Sequence, residues 1–452
     1  MTADPARPEI QQTRGTGCRW LQLAGPALLA VSIGLYALDL TLHLHGVLTD
    51  VDLAVYRDAG LVARSAPRQL YSWQQMPGVQ FTYPPFAAAF CVVISMLPWG
   101  LTAWALLVSS VAALILTVWL MLGALGWERT YRLGTTAAIS AAALWIEPVQ
   151  RTLSTGEIDL LLMLMVVADL AGRGGRWHGV GVGMAAGIKL VALVFIPYLL
   201  ITRQYRQAGV AVAAFAATVA AGALVFPQAS VAWWLRGAFL NASRTGFVGY
   251  LANQSLLGLT TRLAGIVPPT AVWVALTALA GAAGLLLAAA VRQRGGLAYG
   301  WVVCALTGLV VSPVSWDHHW VWIAPVLAVL TDMAVRAGGK MRAWAWAAAG
   351  FVAVVFAAWP GLPRVGGVTL TWGLIWYAPA SWSYVGATHA EYHWVGLQLL
   401  AGNLYLLTGL ILLGAAAVIL LSEAAREEAV SPARGRLPAT WHWLLGAFWR
   451  LG

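Results

Sequence analysis

The chain has 452 residues, of which 60% are hydrophobic and only 10% charged, with a mean hydropathy of +0.75. Soluble domains carry about 25% charged residues, so too little polar surface is present to cover a water-soluble globule. A soluble enzyme, a disordered chain and a nucleic-acid binder are excluded, and an all-α polytopic membrane protein is left. The net charge of +10 rests almost wholly on arginine, because Lys189 and Lys340 are the only lysines. It reads as basic loops that set topology.

Residues 1–19 are polar, carry Arg7, Arg14 and Arg19, and are expected to form a cytoplasmic tail. The apolar run Trp20 to Leu40 is long enough to span a bilayer at about 1.5 Å per residue. No small-residue cleavage motif follows it, so it reads as a first transmembrane helix and not as a signal peptide. Further apolar runs centre near residues 90, 112, 140, 164, 190, 217, 280, 304, 327, 351 and 408. The expected membrane domain therefore covers 20–421 with about 12 transmembrane or re-entrant helices. A cytoplasmic tail over 422–452 follows, and Trp441, Trp443, Phe448 and Trp449 beside Arg450 suit a helix lying in the interface.

Arg203 with Arg206, Arg292 with Arg294, and Arg336 with Lys340 and Arg342 fall on one side, expected to be the cytoplasm. Long outer loops are expected at about 41–81, 227–269 and 361–394, with a shorter one at 312–320. Long loops in a compact membrane protein point to an extracytoplasmic work site. A plain count puts Arg129, Arg132, Arg173 and Arg176 on the wrong side. Short or re-entrant segments near 90 and 190 would resolve this. No internal repeat is visible. Cys18, Cys91 and Cys304 are far apart, which predicts neither a disulfide framework nor a thiolate metal site.

The first outer loop holds Asp50, Asp52 and Asp58 just beyond the first span. A carboxylate there can take a proton from an attacking hydroxyl, or it can be a solvated charge or a helix cap. Asp52 and Tyr56 are four apart and share a helix face, where Tyr56 is a substrate contact or a packing anchor. The same loop carries Arg57, Arg64, Arg68 and many aromatics, a mixture that suits a phosphorylated sugar. Phe81 to Phe86 opens the second segment. Pro84 and Pro85 fit a rigid helix start, with Tyr83 as a possible substrate contact. In Ser154 to Asp159 the simplest reading is helix capping, with Glu157 or Asp159 facing a polar cavity as the alternative. Lys189, within an apolar run, is about 21 Å along a continuous helix from Arg203, too far to snorkel. It calls for an anionic partner.

Asn253, Gln254 and Arg262 in the second long outer loop fit sugar hydroxyls and phosphate. Ser312 to Trp320 is the most informative stretch, since an aromatic belt explains Trp316 and Trp320 but not Asp317, His318 and His319. Adjacent histidines ligate a metal awkwardly, so hydrogen bonding or charge stabilisation of an anionic leaving group is the better reading. His389, Glu391 and His393 lack the glutamate that directly follows the first histidine of a zinc protease, because Ala390 stands there. No metal and no cofactor are expected.

With VDLAVY, LYSW, FTYPPF, TGEID, AAGIKLVALVFIPYLL, NQSLLGL and SPVSWDHHW in order between residues 51 and 320, the chain resembles glycosyltransferase family 87 of the C-type superfamily. TGEID departs from the more usual Gly-Gln-Val-Asn form. The resemblance implies a C-type helical bundle with long outer loops, in the plasma membrane, working on the extracytoplasmic face. It implies a lipid-linked donor, polyprenyl-phosphate mannose, used as co-substrate. Transfer would invert the anomeric centre and form an α-1,2 bond to a glycolipid such as a phosphatidylinositol mannoside. Lipomannan or another polyprenyl-linked sugar is an alternative. It further implies that the first-loop aspartate at Asp52 is the general base, with Asp58 as second choice. His318, His319, Arg262 and Lys189 are then candidates to stabilise the leaving phosphate. A secondary transporter also has about 12 spans, but repeats and short loops mark that class.

Overall fold

The computed structural model describes residues 7–42, 51–76, 79–172, 174–360, 371–380 and 389–430. The expected interfacial helix over Trp441 to Trp449 lies outside them, as do Asp50, Arg173 and most of the loop 361–394. The described chain is helical apart from two short antiparallel pairs, Gln74–Met76 with Val79–Gln80 and Trp359–Pro360 with Thr371–Trp372.

The helices are α1 (Arg7–Leu42), α2 (Val51–Ser65), α3 (Pro85–Met96), α4 (Trp99–Ala124), α5 (Arg129–Ala143), α6 (Glu147–Thr155), α7 (Asp159–Ala171), α8 (Val180–Ile188) and α9 (Phe195–Ile201). There follow α10 (Tyr205–Val225), α11 (Pro227–Ser230), α12 (Leu256–Ala264), α13 (Thr270–Gly295), α14 (Leu297–Val311), α15 (Ile323–Arg336), α16 (Gly339–Phe356), α17 (Leu397–Ala401) and α18 (Leu404–Val430). α1 begins well inside the expected polar tail, and α18 continues past the boundary expected at residue 421. Among the described residues, five segments are long and apolar enough to cross a membrane: Trp99–Ala124, Tyr205–Val225, Thr270–Gly295, Asp317–Arg336 and Leu404–Arg426. Four shorter apolar helices accompany them. Among the described residues this is a mixture of long and short apolar helices, and the count of about 12 transmembrane or re-entrant helices stays an expectation.

One end of the bundle gathers the arginine-rich turns. Gln22 donates to the Thr130 carbonyl (3.0 Å), Arg292 to that of Thr202 (3.3 Å) and Arg294 to that of Leu420 (3.1 Å). Buried Asp332 accepts from Trp127 (2.7 Å), Tyr299 (2.7 Å) and Arg336 (2.6 Å), pinning three turns together. At the opposite end Ala358 donates to the Trp145 carbonyl, and Ile146 bridges to Ala357.

These pins set the direction of α5 and α7 in the bundle. α5 leaves the arginine-rich end and α7 returns to it, so Arg129 and Arg132 lie at the same end as Arg203. Two segments do not traverse the bundle. α3 starts beside Gly222, near the far end of α10, and Pro98 leads directly into α4, whose other end reaches Trp127. α8 and α9 form a hairpin: Gly179 lies against Gln207, and Thr202 accepts from Arg292, so both its ends are at the arginine-rich end. Proline explains the sharp start of α3, with Pro84 as its N-cap and Pro85 in its first turn.

Small residues set the hairpin in place. Gly179, Gly183 and Gly187 recur every four residues along one face of α8. A Cβ on any of them would collide with α10, at Gln207, Ala211 and Thr218 respectively. Close backbone approach of this kind is how helices associate where no hydrophobic force separates them from lipid. The helix ends at Ile188, Lys189 is extended (φ −141°, ψ 114°), and a 3-10 turn over Leu190–Val194 reverses the chain. Gly183→Leu should force α8 off α10. Overpacking of this size costs about 1–3 kcal/mol, and a fall in thermal midpoint of the detergent-purified protein is the expected reading.

Candidate active site

At the end of the bundle opposite the arginine-rich turns, four chain segments bring charged groups to one place. α2 supplies Asp52 in its first turn and Tyr56 one turn on. The α6–α7 junction supplies Thr155, Glu157 and Asp159. Gly156 makes this junction possible, because it closes α6 in the left-handed region (φ 74°), where a side chain would be strained. The hairpin apex supplies Lys189, and the 3-10 turn Asp317–Trp322 supplies His318 and His319.

Glu157 is the hub. Its carboxylate accepts from the Tyr83 hydroxyl (2.6 Å) and the Ile158 amide (2.8 Å). It lies 3.6 Å from Lys189 Nζ and 3.7 Å from His318 Nε2. Tyr56 and Tyr83 share a hydrogen bond of 2.9 Å, which ties α2 to the hub. Lys189 Nζ donates to Asp159 Oδ1 at 2.7 Å. The expected anionic partner of this lysine is therefore a pair of carboxylates, reached from a hairpin apex and not from a continuous helix. The capping reading of Ser154 to Asp159 is corrected: Ile158 is the N-cap of α7 and no side chain caps it. Both acids turn to the lysine instead.

Asp52 is half-buried, with Thr155 beside its carboxyl. Burial first, and the Glu157 charge next, push that carboxyl up to about 6. Asp58 lies six residues further along α2, where Arg57 is its charged neighbour, and no described contact joins it to the cluster. Asp317 turns the other way. It lies 3.5 Å from Arg151 Nε and 3.3 Å from His318 Nδ1, and hydrogen-bonds to Glu147. Trp316 packs edge-on to Tyr250 at 6.3 Å.

Asn253, Gln254 and Arg262 are 0%, 0% and 3% exposed and are not brought to the cluster. Asn253 bonds to Val248, Pro313 and the Ser315 amide, and Gln254 to Leu251 and Gly402. Arg262 donates to Asn403 and to the carbonyls of Gly249, Tyr250 and Asn253, with buried Glu391 as its nearest charge. These side chains lock the outer loops together and hold the turn that carries His318. His389 packs on Phe247 (4.4 Å) and Tyr392 (5.2 Å).

Among the described residues the group able to hold a metal is Asp159, His318 and His319, with one ligand atom each within 4.8 Å of the others. Asp159 Oδ2, His318 Nε2 and His319 Nδ1 are buried with no hydrogen-bond partner among the described residues. The Lys189 ammonium already sits on the same aspartate, which works against a second cation there. Asp159, Lys189 and His319 also line one wall of a cavity that is otherwise apolar, bounded by residues such as Met163, Phe195, Leu309 and Trp322. The arrangement can therefore hold a polar head beside an apolar group, with a carboxylate placed to take a proton.

Residues 81–313 match the model of glycosyltransferase family 87. A Mycolicibacterium smegmatis protein named polyprenol-phosphate-mannose-dependent alpha-(1-2)-phosphatidylinositol pentamannoside mannosyltransferase is 32% identical over 392 residues, covering 84% of this chain and 92% of that one. The chain belongs to glycosyltransferase family 87. A Mycobacterium tuberculosis protein of the same name is 33% identical over 360 residues, 76% of this chain and 80% of its own. A second Mycolicibacterium smegmatis protein, named as the corresponding phosphatidylinositol mannoside mannosyltransferase, is 31% identical over 377 residues, 77% and 83% of the two chains. No solved structure matches. As a family 87 chain it is a membrane-embedded helical glycosyltransferase, and the matched stretch contains neither Asp52, which precedes it, nor His318, which follows it.

The charge cluster predicts its own fragility. Lys189→Met leaves Glu157 and Asp159 buried without their ammonium. Removing one partner of a buried pair costs about 3–5 kcal/mol. Lys189→Met combined with Asp159→Asn and Glu157→Gln should recover most of the lost thermal stability, because no unpaired charge then remains.

Proposed function

We propose that this family 87 chain transfers mannose from polyprenyl-phosphate mannose to a phosphatidylinositol mannoside, forming an α-1,2 bond with inversion on the extracytoplasmic face of the plasma membrane. The names of the relatives support the donor, linkage and acceptor class. The observation that carries the reading is the meeting of a proton-accepting carboxylate, Asp52, with the cations Lys189 and His318 at one polar pocket beside an apolar cavity.

In a single displacement the acceptor hydroxyl loses its proton to Asp52 as its oxygen bonds to the anomeric carbon. The bond from that carbon to the phosphate oxygen breaks on the opposite face, and polyprenyl phosphate leaves with the electron pair. His318 Nε2 has no hydrogen-bond partner among the described residues and lies 3.7 Å from Glu157, so it can donate to the developing phosphate charge. Lys189 offsets the Glu157 and Asp159 charges that would otherwise repel a phosphodiester. Phosphate is a good leaving group, so no metal enters the proposal. The short α3 and the α8–α9 hairpin are taken as segments that do not cross the bilayer, which places every arginine-rich turn on the cytoplasmic side.

The test is transfer from polyprenyl-phosphate mannose to a phosphatidylinositol tetramannoside by the purified protein, read as a pentamannoside product. Asp52→Asn should lower kcat about 10²-fold or more with an unchanged fold, the usual range for loss of a general base. A near-normal rate in that variant removes Asp52 from the role. Asp52 must be ionised to accept a proton, so activity should rise with pH through about 6 and be lost below it. An ordinary aspartate would place that limb near pH 4. Chelator should leave the rate unchanged, whereas loss of activity restored by a divalent cation would assign the Asp159, His318 and His319 group to a metal.

A further inference from the structure

Behind His318, on the side away from the pocket, lies a second layer of buried acids. Glu147 opens α6 and is 1% exposed. Its carboxyl accepts from the Tyr405 hydroxyl (2.9 Å) and from Trp376 Nε1 (3.2 Å). It also hydrogen-bonds directly to Asp317. Two carboxyls can bond to each other only with a proton between them. Asp317 has both Arg151 and His318 beside it and keeps the negative charge, whereas of these two cations only Arg151 acts on Glu147. Glu147 is therefore the protonated donor and Asp317 the acceptor.

That assignment fixes the imidazole. Asp317 Oδ1 faces His318 Nδ1 at 3.3 Å and accepts from the His318 amide at 2.9 Å. Thr152 on α6 donates to the His318 carbonyl at 3.4 Å. With Nδ1–H turned to Asp317, the atom left for the pocket is Nε2, which faces Glu157 and Asp159 from α7. Lys189 and Asp52 complete the charged surroundings from the hairpin and from α2.

We propose that Glu147 is a positioning residue for His318, acting through Asp317: its buried, protonated carboxyl holds the aspartate that orients the imidazole toward the leaving phosphate. The proposal rests on the reading of the site given above, in which His318 serves the phosphate. Carboxylates that orient a working histidine through its second nitrogen are a general device, and their loss typically costs about 10–100-fold. Tyr405 and Trp376 hold Glu147 in turn, so the segment around Trp376 and the start of α18 reach the histidine without touching the pocket.

The experiment compares Glu147→Gln with Glu147→Leu by two readouts. One is sugar transfer across a pH series. The other is the pair of ring-nitrogen signals of His318 in protein labelled with ¹⁵N-histidine, assigned by their loss in His318→Gln. The glutamine amide can still donate to Asp317 and its carbonyl can still accept, so Glu147→Gln should keep kcat within about threefold and leave the ring signals in place. Glu147→Leu, assayed below its unfolding temperature, should lose about 10–100-fold in kcat with little change in donor KM, move the pH profile and alter the ring signals. Wild-type kcat and ring signals in Glu147→Leu would overturn the proposal. If that variant does not fold, Asp317→Asn decides. An amide can donate to Nδ1, so Nδ1 should lose its proton while Nε2 keeps its own, and unchanged ring signals would overturn the proposal. If the wild-type protein transfers no sugar from polyprenyl-phosphate mannose to any glycolipid tried, the functional reading falls, and the ring signals alone still decide whether Glu147 orients His318.

Discussion

The arrangement depends on one requirement: an ammonium group placed inside an apolar bundle must meet its counter-charge within the protein. Lys189 meets it in Asp159 and Glu157, and several features follow from that need. The helix before the lysine stops so that the side chain can reach the head of α7. Glycines every four residues bring α8 close enough to α10 to hold the apex still. Gly156 in the left-handed region turns the chain so that the two acids lie side by side. Tyr83 and Tyr56 then fasten the first outer loop to the same acids. Burial without pairing would cost several kcal/mol per ion, so each piece of local geometry answers the same electrostatic demand.

Around this centre the outer loops are organised by amides and one arginine that bind backbone. Asn253 and Gln254 act as surrogate main chain, pairing with Ser315, Pro313 and Gly402 as strands would. Arg262 closes the ring by filling its guanidinium donors inside the protein. The result is a loop layer with little regular secondary structure and many specific hydrogen bonds. Such a layer holds the turn that carries His318 in place without a sheet, and it satisfies the polar atoms that irregular backbone would otherwise leave exposed to hydrocarbon.

Much of this was legible in the sequence. Composition gives the helical membrane class, and the arginine-rich turns expected on one side do gather at one end of the bundle. Asp52, Tyr56, Tyr83, Lys189 and His318 stand out as polar residues in apolar or aromatic company, and the fold brings these five together. Asn253, Gln254 and Arg262 stand out for the same reason yet lie in the scaffold, because residue type does not tell whether an amide faces a ligand or a carbonyl. Glu157 and Asp159 read as caps, since local pattern cannot reveal a lysine thirty residues away. Glu147 and Arg151 carried no signal beyond an acid before a proline. Their importance comes from Tyr405, Trp376 and Asp317, which are distant in the chain.

The lengths of the helices that carry the site have a consequence for its surroundings. α7 has 13 residues and α14 has 15, so they rise roughly 20–22 Å, while a bilayer's hydrocarbon slab is about 30 Å thick. Under the proposed function, with the arginine-rich turns at one interface, the acids at the head of α7 would sit below the opposite headgroup plane. A hydrophobic donor would then meet the reacting centre by lateral diffusion, with little lifting of its chain out of the membrane. A hydrophilic acceptor would instead have to lower its sugar through the loop layer, so the depth of the well, and not only the chemistry of its walls, would set how long a glycan can present its terminal hydroxyl there.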